Sequence, residues 1–269
     1  MTFDPEFFGS YEHASVQRVN YLLWSLLKAN EKLSSNGRAI VFQDPDVEEI
    51  PVVLELAKAL KRVGVYPIAS DMADRIQSDA AEENLDVATG WQILCATPDS
   101  SESCEAIVAK GPPRGGYELA RLTENTPRDT IREFQSLQEE SGVAPVPGYA
   151  MRGHLAPCVC IALTSPDGTI ASTAFAIKSH HPETRLRGWA HIGFLATRKE
   201  LRGQGLSKYL LAQVMVDAFE KLKSTYLWTG VKSDNAPSQA VCFGCGMTQA
   251  DWTALFVCDP NIIGSSFTR

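Results

Sequence analysis

The chain has 269 residues, a formal net charge of −7 and seven cysteines. The acidic sum argues against bulk binding of nucleic acid, which needs a dense basic face. A chain of this length also buries enough surface to fold without a metal or a disulfide. The start, MTFDPEFFGS, lacks the regions of a signal peptide, and no apolar run approaches the roughly 20 residues that cross a bilayer. We therefore expect a cytoplasmic protein with reduced cysteines and with neither a membrane nor a nucleic-acid partner.

The first part of the chain predicts alternating helices and strands. Apolar residues at three- and four-residue steps predict a helix from about Tyr11 to Ser34, and RAIVFQ then reads as a buried strand. A helix from near Pro51, the strand VGVYPIAS and a helix from Asp71 follow. WQILCAT and CEAIVAK look like paired strands around the polar turn PDSSES.

The clearest linker is KGPPRGG, Lys110 to Gly116, where prolines and glycines are packed together. We place a domain boundary there. Residues 1–113 would form an N-terminal α/β domain, and residues 114–269 would form a second domain.

The second part predicts a mixed α/β order. The strand YELARLT leads into a helix entered through Thr126 and Pro127, and CVCIALTSPDGTIASTAFAI is a hairpin around a Pro-Asp-Gly turn. The strand WAHIGFLAT, a helix to about Lys223, the strand TYLWTGV, a helix from about Ala236 and the strand WTALFVC follow. Three polar residues of the long helix are expected to face water: Gln213, Asp217 and Glu220.

The stretch KELRGQGLSKYLL places an arginine and two glycines where the long helix begins. The first turn of a helix offers unpaired N–H groups and the positive end of the helix dipole. Gly203 and Gly205 let a phosphate approach the backbone, and Arg202 adds a positive charge. On spacing alone, an anion-binding turn and a tight turn with a solvated arginine are equally good interpretations. A P-loop is absent, and a dinucleotide fingerprint would need glycine in place of Lys208.

At these residues the chain resembles the GNAT superfamily of acyl-CoA N-acyltransferases. The pyrophosphate loop of that family reads Gln/Arg-x-x-Gly-x-Gly/Ala, and Arg202, Gly205 and Ser207 fill those places. Three residues match the downstream family pattern, Asn235, Ser238 and Gly246, and Met247 stands in register where the family has phenylalanine. The resemblance covers roughly Gly115 to the C-terminus.

The resemblance implies a GNAT-like mixed, mostly antiparallel sheet flanked by helices, an α/β (α+β) fold. It implies acetyl-CoA or another acyl-CoA as co-substrate, no metal, and a small-molecule or peptide amine as acceptor, in a monomer or a homodimer. The pyrophosphate would lie on backbone N–H groups at the start of the helix, and the pantetheine arm would pair with the preceding strand. The residues expected to bind the cofactor are Leu195, Ala196, Thr197, Arg202, Gly203, Gln204, Gly205, Leu206, Ser207, Asn235 and Ser238.

Two catalytic candidates follow from the resemblance. Many family members carry a glutamate as base where this chain has Gly193, and His191 lies two residues earlier on the same strand face. The arylalkylamine branch uses histidine at that place, so His191 is the base candidate; a histidine that only packs or hydrogen-bonds is an equal alternative. Cys242 stands where the family has a general-acid tyrosine. A cysteine that merely fills a helix face is the commoner case.

Other functions stay open at the level of sequence. Because the usual glutamate and tyrosine are missing, a non-catalytic acyl-CoA-binding or regulatory module is the alternative to an enzyme. A structural domain that binds no cofactor is a third possibility. The Cys242/Cys245 and Cys158/Cys160 pairs lie on a predicted helix and strand, which favours reduced thiols over a metal or redox site.

Two segments of the chain resemble each other. VYPIASD, ending at Asp71, and WTGVKSD, ending at Asp234, each precede a helix and then a strand led by Trp91 or Trp252. We hypothesise that the N-terminal part is a reduced GNAT-like half without the Arg-x-x-Gly-x-Gly loop. Chance similarity between two α/β segments is the alternative.

Overall fold

The computed structural model describes residues 4–113, the first half, and residues 116–261, the second half. The helices are α1 Tyr11–Leu27, α2 Ile50–Leu60, α3 Ser70–Glu82, α4 Ser101–Val108, α5 Arg128–Glu140, α6 Gly148–Met151, α7 Leu206–Glu220 and α8 Ala236–Phe243. The strands are β1 Leu33–Ser35, β2 Ile40–Gln43, β3 Arg62–Ile68, β4 Asp86–Ala88, β5 Trp91–Ala96, β6 Glu118–Leu122, β7 Cys158–Thr164, β8 Ile170–Ile177, β9 Trp189–Thr197, β10 Tyr226–Lys232, β11 Thr248–Gln249 and β12 Thr253–Cys258.

The strands form two sheets. The five-stranded sheet has the order β1-β2-β3-β12-β4, and the seven-stranded sheet has the order β11-β5-β10-β9-β8-β7-β6. Neighbours are antiparallel except for β2 with β3 and β9 with β10, which are parallel. The predicted mixed, mostly antiparallel fold with flanking helices is confirmed.

The two halves of the chain exchange a strand. β5 comes from the first half but lies between β10 and β11, and β12 comes from the second half but lies between β3 and β4. The registers correspond, because Trp91 pairs with Lys232 while Thr253 pairs with Ile68. β5 therefore begins at Trp91 opposite the last residue of β10, and β12 begins one residue after Trp252, opposite the last residue of β3.

The order of elements is also the same in both halves. β1 and β2 are antiparallel, β2 and β3 are parallel, and α2 connects the parallel pair; β8, β9, β10 and α7 repeat this arrangement. A helix, a short strand and the exchanged strand then follow in each half. This topology supports the internal repeat. The boundary between residues 113 and 114 stays a prediction, and Arg114 and Gly115 of the predicted linker lie outside the described residues.

Alternation along β8 explains how the large sheet packs on both faces. Every residue of β8 is buried. Ala174 and Ala176 lie in the core beneath α7, whereas Phe175 and Ile177 lie in the core beneath α5 and α6. Small residues on one face let α7 approach the sheet closely, and large residues fill the wider space on the other face.

The first helix is shorter than predicted and buries a different face. It ends at Leu27, and Leu33–Ser35 is the strand β1. Its buried residues include Gln17 and Asn20, whereas Leu22 and Leu26 are 65% and 68% exposed. The polar side chains are buried because they hydrogen-bond to neighbouring backbone and to β1.

Two further predictions were wrong. CEAIVAK contributes to the helix α4 instead of a strand, since Cys104, Ile107 and Val108 recur at helical spacing against the core beneath α7. Gln213 and Asp217 are buried, because the Asp217 carboxylate accepts hydrogen bonds from Gln213 and Arg121. No helix in the described ranges combines the length and the apolar character needed to cross a membrane.

His180 joins the halves. It is buried, and its Nδ1 lies 2.7 Å from Oε1 of Gln43 in β2. The Gln43 amide nitrogen donates to the Glu31 carbonyl, so its oxygen faces the ring and His180 is the donor. Burial lowers the pKa of His180 to about 4.

Strand exchange predicts that the halves unfold together. Leu94 of β5 is buried in the core of the second half, and Leu255 of β12 is buried in the core of the first half. Leu94→Ala and Leu255→Ala should each lower the free energy of unfolding by about 2–5 kcal/mol, as other buried leucines do. Denaturant unfolding followed by circular dichroism should show one shifted transition for each variant. Two transitions with only one of them shifted would contradict the exchange, and the exposed Leu22→Ala is the control.

His180 also predicts a pH dependence of stability. Its folded pKa lies below the unfolded value of 6.5, so the unfolded chain takes up the proton first. The contribution of neutral His180 to the free energy of unfolding is complete above pH 6.5. It is lost as the pH falls toward 4, and the loss is about 2 kcal/mol at pH 5. His180→Asn keeps a donor at the Nδ1 position but does not titrate, so its unfolding free energy should change less between pH 7 and pH 5. An unchanged slope would refute this role, and the neighbouring His181→Asn is the control.

Candidate functional site

A cleft opens between β9 and β10. Their parallel pairing ends at His191 and Trp228, although both strands continue beyond this point. β9 has a bulge there. Gly193 pairs with Phe175 of β8 and Ala196 pairs with Thr173, so three steps along β9 correspond to two steps along β8. The backbone φ of Gly193 is 122° and that of Phe194 is 54°. The bulge turns β9 away from β10 and leaves one edge of each strand unpaired with the other.

The bulge accounts for the missing glutamate. A Cβ atom on Gly193 would lie 2.9 Å from Oγ1 of Thr229, and the positive φ disfavours any side chain. A carboxylate base therefore does not fit at this position of β9.

The predicted anion-binding turn lies where β9 leads into α7. Gly205 is the N-cap residue of α7 and has a φ of 83°. As at the start of any helix, the first N–H groups of α7 have no carbonyl acceptor within the helix. Gly203 has a φ of 74°, and no heavy atom lies within 4 Å of the place where its Cβ would be. Glycine is thus needed for the backbone conformation, and the space above the turn is open.

Side chains around the turn hold it in place. Arg202 is exposed, and its Nε donates to the Thr197 carbonyl at 3.2 Å, which leaves its terminal nitrogens toward solvent. The hydroxyls of Ser172, Thr197 and Ser207 form a chain with two distances of 2.7 Å. These hydroxyls join the sheet to α7 and so fix the position of the turn. An anion bound at the turn would meet backbone N–H groups and the Arg202 guanidinium.

The remaining predicted cofactor contacts lie around the same cleft. Leu195 and Ala196 are on the part of β9 after the bulge, which does not pair with β10. Gln204 belongs to the turn, and Leu206 is the first residue of α7, with its side chain buried in the core. On the β10 side, the Asn235 side chain accepts the Ser238 N–H at 3.2 Å. Asn235 is thus the N-cap of α8.

His191 stands at the base of the cleft. Its ring stacks on Trp228 with centroids 4.3 Å apart, and its Nδ1 lies 3.4 Å from Nδ2 of Asn36. The Asn36 oxygen accepts the N–H groups of Arg38 and Ala39, so the amide nitrogen is the group that faces the ring. This contact assigns the lone pair to Nδ1 and the proton to Nε2 of His191.

The surroundings of His191 keep it neutral. Burial first, then the positive charge of Arg38 and the electrostatic interaction with the second titratable ring, His180, hold its pKa well below the usual 6.5. The residue is half-buried, and protein atoms surround the imidazole. The ring is therefore unprotonated at neutral pH and binds a proton weakly.

Sequence reasoning missed Asn36 and Arg38, which reach this site from the first half. The Arg38 guanidinium lies 4.0 Å from the Phe194 ring centre and donates to the Ala144 carbonyl. Burial, followed by the nearby Arg62, lowers the pKa of Arg38 to about 9, so the group keeps its charge at pH 7. Asn36 and His191 are 155 residues apart in the chain, and no local pattern connects them.

Cys242 lies in the core beneath α7 and is 2% exposed. Burial raises the pKa of its thiol to about 12, so it gives up a proton only reluctantly. Its role as a general acid stays a prediction, and these contacts do not favour it. All the cysteines are free thiols, and the described ranges hold no group of three or more potential metal ligands.

Comparison with known proteins identifies the second half. Residues 126–247 match the model of the acetyltransferase (GNAT) family. This segment contains the splayed strands and the glycine turn, and it belongs to the GNAT family. A comparison with curated proteins found no match.

Solved structures extend the likeness to the first half. A GCN5-related N-acetyltransferase from Kribbella flavida matches with a TM-score of 0.58 and 13% identity, over 91% of this chain and 95% of that chain. A tandem GNAT protein from the clavulanic acid biosynthesis pathway, without AcCoA, matches with a TM-score of 0.53 and 17% identity, over 76% and 66%. A GCN5-related N-acetyltransferase-like protein from Streptococcus suis gives 0.52 and 11%, over 91% and 98%. At these identities the likeness shows the fold, and the tandem structure is consistent with a second GNAT-like half.

Proposed function

We propose that the chain is an acyl-CoA-dependent N-acyltransferase that moves an acetyl group from acetyl-CoA to an amine in a ternary complex. The observation that carries the proposal is the unpaired edge of β9 leading directly to the basic glycine turn. An extended arm fits beside the strand, and a diphosphate fits at the head of α7. The acceptor would be a small-molecule or peptide amine, and the proposed location is the cytoplasm.

Each part of the site has one task in this proposal. The N–H groups at the start of α7, with Arg202, hold the diphosphate. The backbone of Leu195 to Thr197 holds the arm, and Asn235 holds it from the other side of the cleft. Free N–H groups of the bulged strand stabilise negative charge on the carbonyl oxygen as the amine attacks. The thioester supplies the activated acyl group.

His191 is the proposed base, with a restriction set by its surroundings. A ring whose pKa is well below 6.5 cannot remove a proton from an ordinary alkylammonium ion. It can take one from an amine nitrogen whose lone pair is already engaged in the new C–N bond, since that nitrogen is far more acidic. In this step Nδ1 of His191 loses its contact with Asn36 and accepts the amine proton, directly or through a water molecule. The ring keeps its Nε2 proton and becomes an imidazolium ion. The thiolate product is protonated by water, because the Cys242 thiol is buried.

A non-catalytic acyl-CoA-binding module is the second candidate. The neutral His191, the excluded carboxylate at Gly193 and the buried Cys242 favour it. It shares the cofactor site with the enzyme and differs only in turnover.

One experiment separates these candidates. Wild-type chain, acetyl-CoA and a panel of amines should release free thiol, measured with a thiol reagent. Arg202→Ala removes charge-assisted hydrogen bonds worth about 1.5–3 kcal/mol, so the dissociation constant for acetyl-CoA should rise about ten- to a hundredfold. Arg132→Ala, an exposed arginine on α5, is the matched control.

Titration calorimetry gives the affinities. Binding that depends on Arg202, without thiol release on any amine, would establish the module in place of the enzyme. Equal affinity in Arg202→Ala and wild type would remove the cofactor site from the turn.

His191 is tested with two replacements. Glutamine places an amide donor near the Nε2 position, whereas alanine removes every hydrogen bond. A base is lost in both variants, so both should lower kcat by about a hundredfold or more while the affinity for acetyl-CoA stays within a fewfold of wild type. Because the pKa of His191 is lowered, the wild-type rate should show no His191 inflection near pH 6.5. Near wild-type turnover in His191→Gln alone would show that His191 is a hydrogen-bond donor and not the base.

A further inference from the structure

The first half has an acidic loop at the place where the second half has its basic turn. Residues 44–49 follow β2 and lead into α2, as residues 198–205 follow β9 and lead into α7. The loop reads Asp-Pro-Asp-Val-Glu-Glu, with four carboxylates and neither glycine nor arginine. Its charge repels a diphosphate and attracts a cation.

A cavity of about 730 Å³ lies beside this loop, at the ends of β2 and β3. Its wall includes Asp44 of the loop, Asp71 near the start of α3, Asp251 before β12, and the indoles of Trp189 and Trp252. The two indole centroids are 5.5 Å apart, with their planes at 35°. The volume lies within the range of small-molecule sites.

The charges of the wall favour a cation. Arg75 and Arg185 also line the cavity, but Arg75 pairs with a carboxylate one turn along α3 at 2.9 Å, and Arg185 pairs with Asp44 at 2.6 Å. Asp71 and Asp251 form no ion pair with a basic side chain in the part of the chain that the structure describes. An anion would thus meet arginines that are already neutralised and carboxylates that repel it.

Arg185 shows how this wall holds a positive charge. Its guanidinium forms two hydrogen bonds to Asp44 and lies 6.0 Å from the centre of the Trp189 ring. A carboxylate together with an aromatic face suits organic cations in general. We propose that the cavity binds a small organic cation with a guanidinium or alkylammonium head. The head lies against Asp71 and Asp251, and the aliphatic stem packs on the indoles.

The charge requirement is tested with a pair of probes of the same shape. n-Butylguanidinium is cationic and n-butylurea is its neutral isostere, and both are titrated into the full chain without acyl-CoA. The cation should bind at least tenfold more tightly by ligand-observed NMR. The double variant Asp71→Asn with Asp251→Asn changes exposed side chains only and should lose that preference. The control variant, Asp99→Asn with Glu102→Gln, removes two exposed carboxylates elsewhere and should keep it.

Arg185 provides the sharper test. Arg185→Ala frees Asp44 and the Trp189 face for the ligand, so the affinity for n-butylguanidinium should rise at least threefold. Arg187→Ala, an exposed arginine in the same loop, should leave the affinity unchanged. Equal binding of the two probes, an unchanged preference in the Asp71/Asp251 variant, or weaker binding in Arg185→Ala would each overturn the proposal. Because no acyl-CoA is present, these outcomes do not depend on the proposed reaction.

Discussion

The reciprocal exchange of β5 and β12 is the constraint on which the rest of the structure depends. β5 pairs with β10 along its full length, from Trp91 opposite Lys232 to Ala96 opposite Leu227. β10 can therefore leave β9 after His191 and still keep its hydrogen bonds on the other edge. β8 supports β9 in the same way past the bulge. The cleft stays open because the outer edge of each splayed strand is held, and the first half supplies one of those supports.

The first half also determines the chemistry at the base of the cleft. Asn36 faces Nδ1 of His191, and the Arg38 charge, added to burial, keeps the pKa of that histidine low. A GNAT domain without this half would present a more solvated ring with a more ordinary basicity. The base proposed from the second half thus has properties that the second half alone does not set.

Local signals in the sequence predicted the glycine turn, the hairpin and most strands, because each depends on neighbouring residues. The internal repeat was also visible in the sequence, because Trp91 and Trp252 follow similar segments at similar spacings. The buried face of α1 was not predictable from apolar spacing, because Gln17 is buried to satisfy the carbonyls of Phe8 and Pro145. The neighbours of His191 were not predictable either, since strand exchange brings them from a distant part of the chain. Whether a segment forms a helix or a strand depends mainly on neighbouring residues, whereas the residues that meet at the site are brought together by the topology of the sheets.

The two halves show how one arrangement of strands can be adapted to different ligands. In the second half, β9 continues past the last pair with β10 and offers a free edge to an extended arm. In the first half, β2 ends at Gln43, which is its last pair with β3, so no free edge follows. The acidic side chains of residues 44–49 then stand where the second half has its glycines and Arg202. Because edge and charge have both changed, restoring a basic loop alone would not restore an acyl-CoA site there: the arm would still lack a strand to pair with.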